Sequence, residues 1–167
     1  MQNAEQKTAL IAMSGGVDSS GAAWLLQQQG EQTVGVTMRL FTPEELAPGQ
    51  GERCHILEDI QDARAVAAQL GIPHHALDLS GPFRERVMEP FVRAYEQGRT
   101  PNPCVTCNRT IKFGALLEAA GQLGCGRLAT GHYARTEQDA GSGRVLLKRA
   151  VHPEKDQSYV LWSLSQA

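Results

Sequence analysis

Apolar positions along the chain switch between two spacings, and the switching predicts the order of elements. Thr8 to Met13 is nearly continuous in apolar residues, as a strand buried on both faces should be. Gly21 to Gln29 follows as a helix, with Ala22, Ala23, Trp24 and Leu25 as its core face and Gly30 as its stop. Thr33 to Leu40 reads as a second strand, so the first three elements form a parallel strand–helix–strand unit. Phe41 to Arg53, with Pro43, Pro48, Gly49 and Gly51, reads as a loop. From Cys54 to Leu70, Ile56, Ile60, Ala63, Val66, Ala67 and Leu70 fall at helical spacing, and Gly71-Ile72-Pro73 ends the run. His74 to Leu79 is a third strand. Its neighbouring histidines, His74 and His75, face opposite ways, which argues against a shared metal.

Phe83 to Gln97 carries a helical stripe of Val87, Met88, Phe91, Val92 and Tyr95, and Pro90 inside it predicts a kink or two short helices. Arg99 to Asn108 reads as a loop with two prolines, Thr110 to Leu123 as a helix, and Arg127 to Thr130 as a short strand. Arg135 to Arg149 reads as a hairpin, and His152 to Ala167 begins polar and then reads as a helix start. Alternating strands and helices predict one α/β domain with a doubly wound, mostly parallel sheet.

Composition narrows the classes. The 167 residues are 41% hydrophobic, enough for one sizeable core, and only 5% aromatic, so that core should be aliphatic. A formal net charge of −2 excludes a general nucleic-acid coat, so any RNA contact must use local patches. No apolar run reaches membrane-spanning length and the first residues lack a signal-peptide core, so the expectation is a cytoplasmic protein with no membrane partner. In that compartment Cys54, Cys104, Cys107 and Cys125 are thiols, metal ligands or redox groups rather than structural disulfides. Cys125, between glycines, reads as a small buried filler, and Cys54 is ambiguous.

The chemistry concentrates in two stretches. Ala12-Met13-Ser14-Gly15-Gly16-Val17-Asp18-Ser19-Ser20 lies at the first strand–helix junction. Its glycines let the backbone turn tightly and approach an anion. Ser19 or Ser20 is expected to cap the helix start, whose free N–H groups and dipole favour a phosphate. There is no G-x-x-x-x-G-K-[ST], so hydroxyls and Asp18 stand where a P-loop lysine would be. Met38, near the end of the second strand, reads either as core filler or as packing on an adenine ring. The second stretch, Cys104-Val105-Thr106-Cys107, has three open readings: a zinc half-site, a thioredoxin-type pair, or a sulfur-handling nucleophile. The helix beginning near Thr110 is expected to lower the pKa of the thiol before it.

Ser14-Gly15-Gly16-Val17-Asp18-Ser19 resembles the PP-loop of the ATP pyrophosphatase superfamily. Trp24-Leu25-Leu26, Thr100-Pro101-Asn102-Pro103, Cys107-Asn108, Ile111-Lys112-Phe113, Ala129-Thr130-Gly131-His132-Tyr133 and Lys155-Asp156-Gln157-Ser158-Tyr159 together resemble the tRNA-specific 2-thiouridylases, in register from Leu10 to Gln166. That resemblance implies an adenine nucleotide alpha hydrolase-like fold over residues 1–167. It implies ATP-dependent 2-thiolation of the wobble uridine of tRNA: adenylation of the C2 oxygen, then sulfur transfer. ATP would meet Ala12, Met13, Ser14, Gly15, Gly16, Val17, Asp18, Ser19, Met38 and Gly131, and Cys107 would be the catalytic cysteine. Asn102, Pro103 and Cys104 would lie against the target base, and His132, Lys155, Asp156 and Gln157 would meet the tRNA. Mg²⁺ is expected because departing pyrophosphate needs charge neutralisation, with Asp18 as a candidate contact. The implied partners are tRNA and a sulfur-donor protein, either a persulfide carrier or a cysteine desulfurase. Cys104 stands where some family members carry Asp, which leaves an iron–sulfur cluster on Cys104, Cys107 and a third ligand as an alternative. In the family the persulfide cysteine lies further along the chain, and a central linker domain and a C-terminal β-barrel follow. This chain is therefore expected to be the N-terminal part. The rival readings are another PP-loop tRNA-modifying enzyme and a nucleotide- or RNA-binding fragment without catalysis.

Overall fold

The structure, a computed structural model, describes residues 8–42 and 58–166 in full and the backbone of 55–57. The expected loop over 41–53 and Cys54 therefore lie almost wholly outside the described residues. Strand β1 (Ala9–Ala12) pairs in parallel with β2 (Thr33–Arg39) on one side and β4 (Arg127–Ala129) on the other. β3 (His74–Asp78) extends the sheet beyond β2, giving the order β3-β2-β1-β4, all parallel.

The apolar run predicted to be buried on both faces is buried on both. Leu10 joins a cluster with Val36, Leu79, Val87, Ile111 and Leu116, while Ile11 joins another with Met13, Ala23, Ala63 and Ala67. Consecutive strand residues point to opposite faces, so each face has its own core. Helices α1 (Val17–Gln28) and α2 (His55–Leu70) supply one of these cores. The other is supplied by two longer helical runs. One passes from α3 (Ser80–Phe83) through a π-helical stretch, Arg84–Met88, into α4 (Glu89–Glu96). The second passes from α5 (Pro103–Cys107) through π-helical Asn108–Ala115 into α6 (Leu116–Gln122). The chain steps outward from β1 to β3 and then returns to the far side of β1 with β4. That reversal opens a crevice beyond the C-terminal ends of β1 and β4, where open α/β sheets bind ligands.

Several expectations are corrected. α1 begins at Val17 rather than Gly21, and Trp24 and Leu25 lie on its exposed side, 51% and 52% accessible. Its contact with the core is made by Ala23, with Ala22 and Leu26 beside it, because small side chains let the helix sit close to the sheet. Val92 and Tyr95 of the expected stripe also stay exposed, whereas Val87 and Ala94 are buried. Pro90 lies inside this continuous helical run, and the interruption expected of it takes the form of the π-helical stretch Arg84–Met88 directly before it. The loop expected over Arg99–Asn108 ends at Asn102. There the side chain accepts the Val105 N–H at 3.2 Å and caps α5, with Pro103 at the first helical position. After the antiparallel hairpin of β5 (Arg135–Gln138) and β6 (Val145–Lys148), the expected helix is replaced by two single 3₁₀ turns, Pro153–Lys155 and Ser158–Val160. Among the described residues no helix is long and apolar enough to cross a membrane.

Candidate active site

β1 carries Met13 and Ser14 into the crevice. Gly15 then turns the chain with φ +77°, a region side chains rarely adopt, and a Cβ there would stand 2.8 Å from the Asp59 carbonyl oxygen. Gly16 caps α1 without a side-chain hydrogen bond. This corrects the expected role of Ser19 and Ser20: both lie inside the helix, and their hydroxyls donate back to the Gly16 carbonyl at 3.0 and 2.9 Å. Ser19 Oγ also accepts the Ser14 N–H at 3.1 Å and so braces the loop. The N-terminal end of α1 is thus left without a side-chain cap, and its positive dipole end borders the crevice. Gly131, just after β4, packs against this turn; a Cβ on it would lie 3.0 Å from Ser19 N and Ser19 Cα.

A cavity of about 230 Å³ fills the crevice. Ala12, Met13, Ser14, Asp18, Ser19, Met38, Gly131, His132 and Gln157 line it, all expected from the sequence, together with Lys112 and Thr130, which were not. Gly15 and Gly16 shape the loop beneath, and the Val17 side chain points away, 86% exposed. A second cavity of about 290 Å³ shares Met13, Ser14, Met38 and Lys112 and adds Thr37, Leu40, Phe41 and Asp59.

His132 is held on both ring nitrogens, by Thr130 Oγ1 at 2.7 Å from Nδ1 and by Lys112 Nζ at 3.4 Å from Nε2. An ammonium only donates, so Nε2 accepts and Nδ1 carries the proton that goes to Thr130. Burial, and then the Lys112 charge, bring the imidazole pKa down to about 4, so His132 is neutral at pH 7. Across the cavity, the Tyr133 hydroxyl donates to Asp18 Oδ1 at 2.5 Å, and that bond pushes the phenol pKa up. Lys155 Nζ stands 5.1 Å from the centre of the Tyr133 ring. The Tyr133 N–H donates to Gln157 Oε1 at 2.9 Å, and the Gln157 N–H donates to the Tyr133 carbonyl at 2.8 Å. The structure therefore locks Lys155 and Gln157 onto the β4 loop, beside the Ser14–Ser19 loop. Asp156 does not line this cavity. It accepts the Ala150 N–H at 2.7 Å and the Ser158 hydroxyl at 2.8 Å, bonds that lower its pKa and brace the turn.

The thiols stand differently from expectation. Cys107 is the last residue of α5, not the end of a loop ahead of a helix, and Asn102 already caps that helix. Burial raises the Cys107 thiol, the Lys112 ammonium opposes this, and the neighbouring Cys104 adds to the rise. Lys112 is the influence that favours thiolate, in place of the expected helix N-terminus. Cys104 is exposed, and its carbonyl accepts Asn108 Nδ2 at 2.9 Å. Cys125 is buried, as a filler should be. Among the described residues no group of three His, Cys, Asp or Glu could hold a metal, so a cluster on Cys104 and Cys107 has no described third ligand.

The family model described as the tRNA methyl transferase HUP domain matches residues 7–167. The chain is 47% identical over 160 residues to the tRNA-specific 2-thiouridylase MnmA of Clostridioides difficile, an alignment covering 96% of this chain and 44% of that protein. It is 52% identical over 157 residues to the tRNA-specific 2-thiouridylase MnmA 2 of Thermoanaerobacter sp., covering 93% and 43%. With the tRNA-specific 2-thiouridylase MnmA of Geotalea uraniireducens the identity is 48% over 169 residues, covering 99% and 45%. The chain spans less than half the length of these curated relatives.

Proposed function

We propose, from the premise that this chain belongs to the tRNA methyl transferase HUP-domain family, that it is the ATP-using, uridine-activating part of a tRNA 2-thiolation enzyme. The observation that carries this reading is one cavity shared by the open end of α1, the Gly131 loop and Lys112; Cys107 does not line that cavity and stands one helical stretch before Lys112 on the same run. A uracil carbonyl oxygen is a poor leaving group. Attack of the uridine O2 on the α-phosphorus of ATP makes it part of AMP, breaks the α–β bond and releases pyrophosphate. The open N–H groups of α1 suit the polyphosphate. Asp18, a carboxylate lining the cavity with one oxygen bonded by the Tyr133 hydroxyl, would hold Mg²⁺ together with phosphate oxygens, and the ion would supply charge neutralisation there.

Sulfur then replaces AMP at C2. The Cys107 thiolate attacks a persulfide on a donor, forming a disulfide and freeing hydrosulfide, which adds to C2 and expels AMP. Asn102, Pro103 and Cys104 would border the base, and His132, Lys155 and Gln157 the tRNA. The proposed partners are tRNA and a persulfide-carrying protein. A central linker domain and a C-terminal β-barrel, as in the family, would supply the remaining tRNA contacts. Pyrophosphate release and 2-thiouridine formation, measured with Mg·ATP, tRNA and a persulfide donor, test the reading. This chain should bind ATP and release pyrophosphate slowly when tRNA is present, since loose placement of the uridine can cost about a hundredfold. 2-Thiouridine should form when the chain is joined to the relatives' remaining region, and Cys107→Ser should abolish it while ATP binding persists. Absence of ATP binding would overturn the reading.

A further inference from the structure

A triphosphate carries several negative charges, and among the described residues lining the cavity at the α1 end Lys112 is the one cation. Helical winding explains how it gets there. Cys107 and Lys112 are five residues apart, a spacing that on an α-helix separates side chains by roughly 140°. Over Asn108–Ala115 the backbone is π-helical, with i→i+5 hydrogen bonds, so the same spacing amounts to little more than one turn. Lys112 is thereby carried toward the Cys107 side of the helix. There it borders both cavities and sets its ammonium 3.4 Å from His132 Nε2. That bond is long and its acceptor is a neutral imidazole. A phosphate oxygen is a stronger, charge-assisted acceptor.

We propose that Lys112 is the phosphate-holding cation of this site, replacing the P-loop lysine that the phosphate loop lacks, and that it is parked on His132 until a nucleotide enters. The inference rests on the ATP reading above and adds a residue to it. It also gives the π-helical stretch a purpose: regular α-helical winding would turn Lys112 away from Cys107. The same ammonium is the charge that favours the Cys107 thiolate, with Cys104 the other titratable group acting on that thiol.

The test compares ATP with adenosine, which lacks phosphates, by calorimetry on the chain and on Lys112→Met and Lys112→Arg. Lys112→Met should weaken ATP roughly tenfold or more, the scale of one hydrogen bond to a charged group, and leave adenosine unchanged. Lys112→Arg should recover most of the ATP affinity. Alkylation of Cys107 by iodoacetamide at pH 8 should slow several-fold in Lys112→Met and recover in Lys112→Arg. Equal losses for ATP and adenosine would mark Lys112 as merely structural and overturn the inference, as would unchanged ATP affinity in Lys112→Met. A wild-type chain that binds neither compound would overturn the ATP reading itself, a result distinct from both.

Discussion

Helices α1 and α5 begin in opposite ways. At α1 the cap residue is Gly16, no side chain closes the end, and the first turn borders the cavity. At α5 the Asn102 side chain takes the Val105 N–H, and Pro103 has no N–H to offer. Both helices carry the same kind of dipole, yet only the first is left open to an anion. What occupies the first N–H groups decides whether a helix end binds phosphate or stabilises a thiolate. Cys107, at the far end of the capped helix, depends instead on the Lys112 side chain.

The largest expected effect comes from closing α1 as α5 is closed. Gly16 has φ −78° and ψ 162°, a conformation open to any residue, so Gly16→Asp can cap the helix with its own carboxylate. ATP affinity should then fall about a hundredfold, the scale of charge-assisted hydrogen bonds lost, while thermal stability holds or rises. Calorimetry showing unchanged ATP affinity would remove the difference between the two helix ends. Next come the thiols. Cys104 is exposed, Cys107 is half-buried with a raised pKa, and Cys125 is buried with a raised pKa. Alkylation followed by mass spectrometry should label them in that order. Fastest labelling of Cys107 would show that the Lys112 charge outweighs the burial of that thiol.

A smaller effect is expected from Asn102→Ala. Loss of a side-chain cap costs about 1 kcal/mol, or roughly 2–4 °C in melting temperature for a chain of this size. No shift at all in a thermal melt would mean that Asn102 does not close α5 in solution. The smallest concerns pH. His132 titrates at about 4 in the fold and near its ordinary 6.5 when unfolded, so between these values the unfolded chain binds the extra proton. Stability from this group is complete above about pH 6.5 and declines as the pH falls toward 4. His132→Gln should flatten that part of the profile, and an unaltered slope in denaturant melts would contradict the buried, neutral assignment.

The strand–helix order and the Gly15-Gly16 turn were legible because their signals are local. An apolar run such as Ala9–Ile11 and a Gly15-Gly16 turn carry their structural meaning within a few residues. The start of α5 is hidden in the sequence because Pro101 and Pro103 are loop signals, although Asn102-Pro103 is also a capped helix start. The exposed side of α1 was misread because Trp24 and Leu25 outweigh Ala23 in apolarity, whereas close packing on the sheet selects the smaller residue.

Local patterning of apolar residues and glycines was thus enough to set a parallel α/β sheet and the tight Gly15-Gly16 turn at its first strand–helix junction, while Gly131, His132 and Gln157 were marked as site residues only by the family resemblance. It could not place Lys112, because π-helical winding leaves no period in the sequence and depends on how the helical run packs. Nor could it join Asp18 to Tyr133, 115 residues apart, or Tyr133 to Gln157, 24 apart. Those bonds form only when β4 adds to the far side of β1 and brings its loop against α1. The protonation of His132 follows from the same step, since burial and the Lys112 charge act on it only where the two chain segments meet.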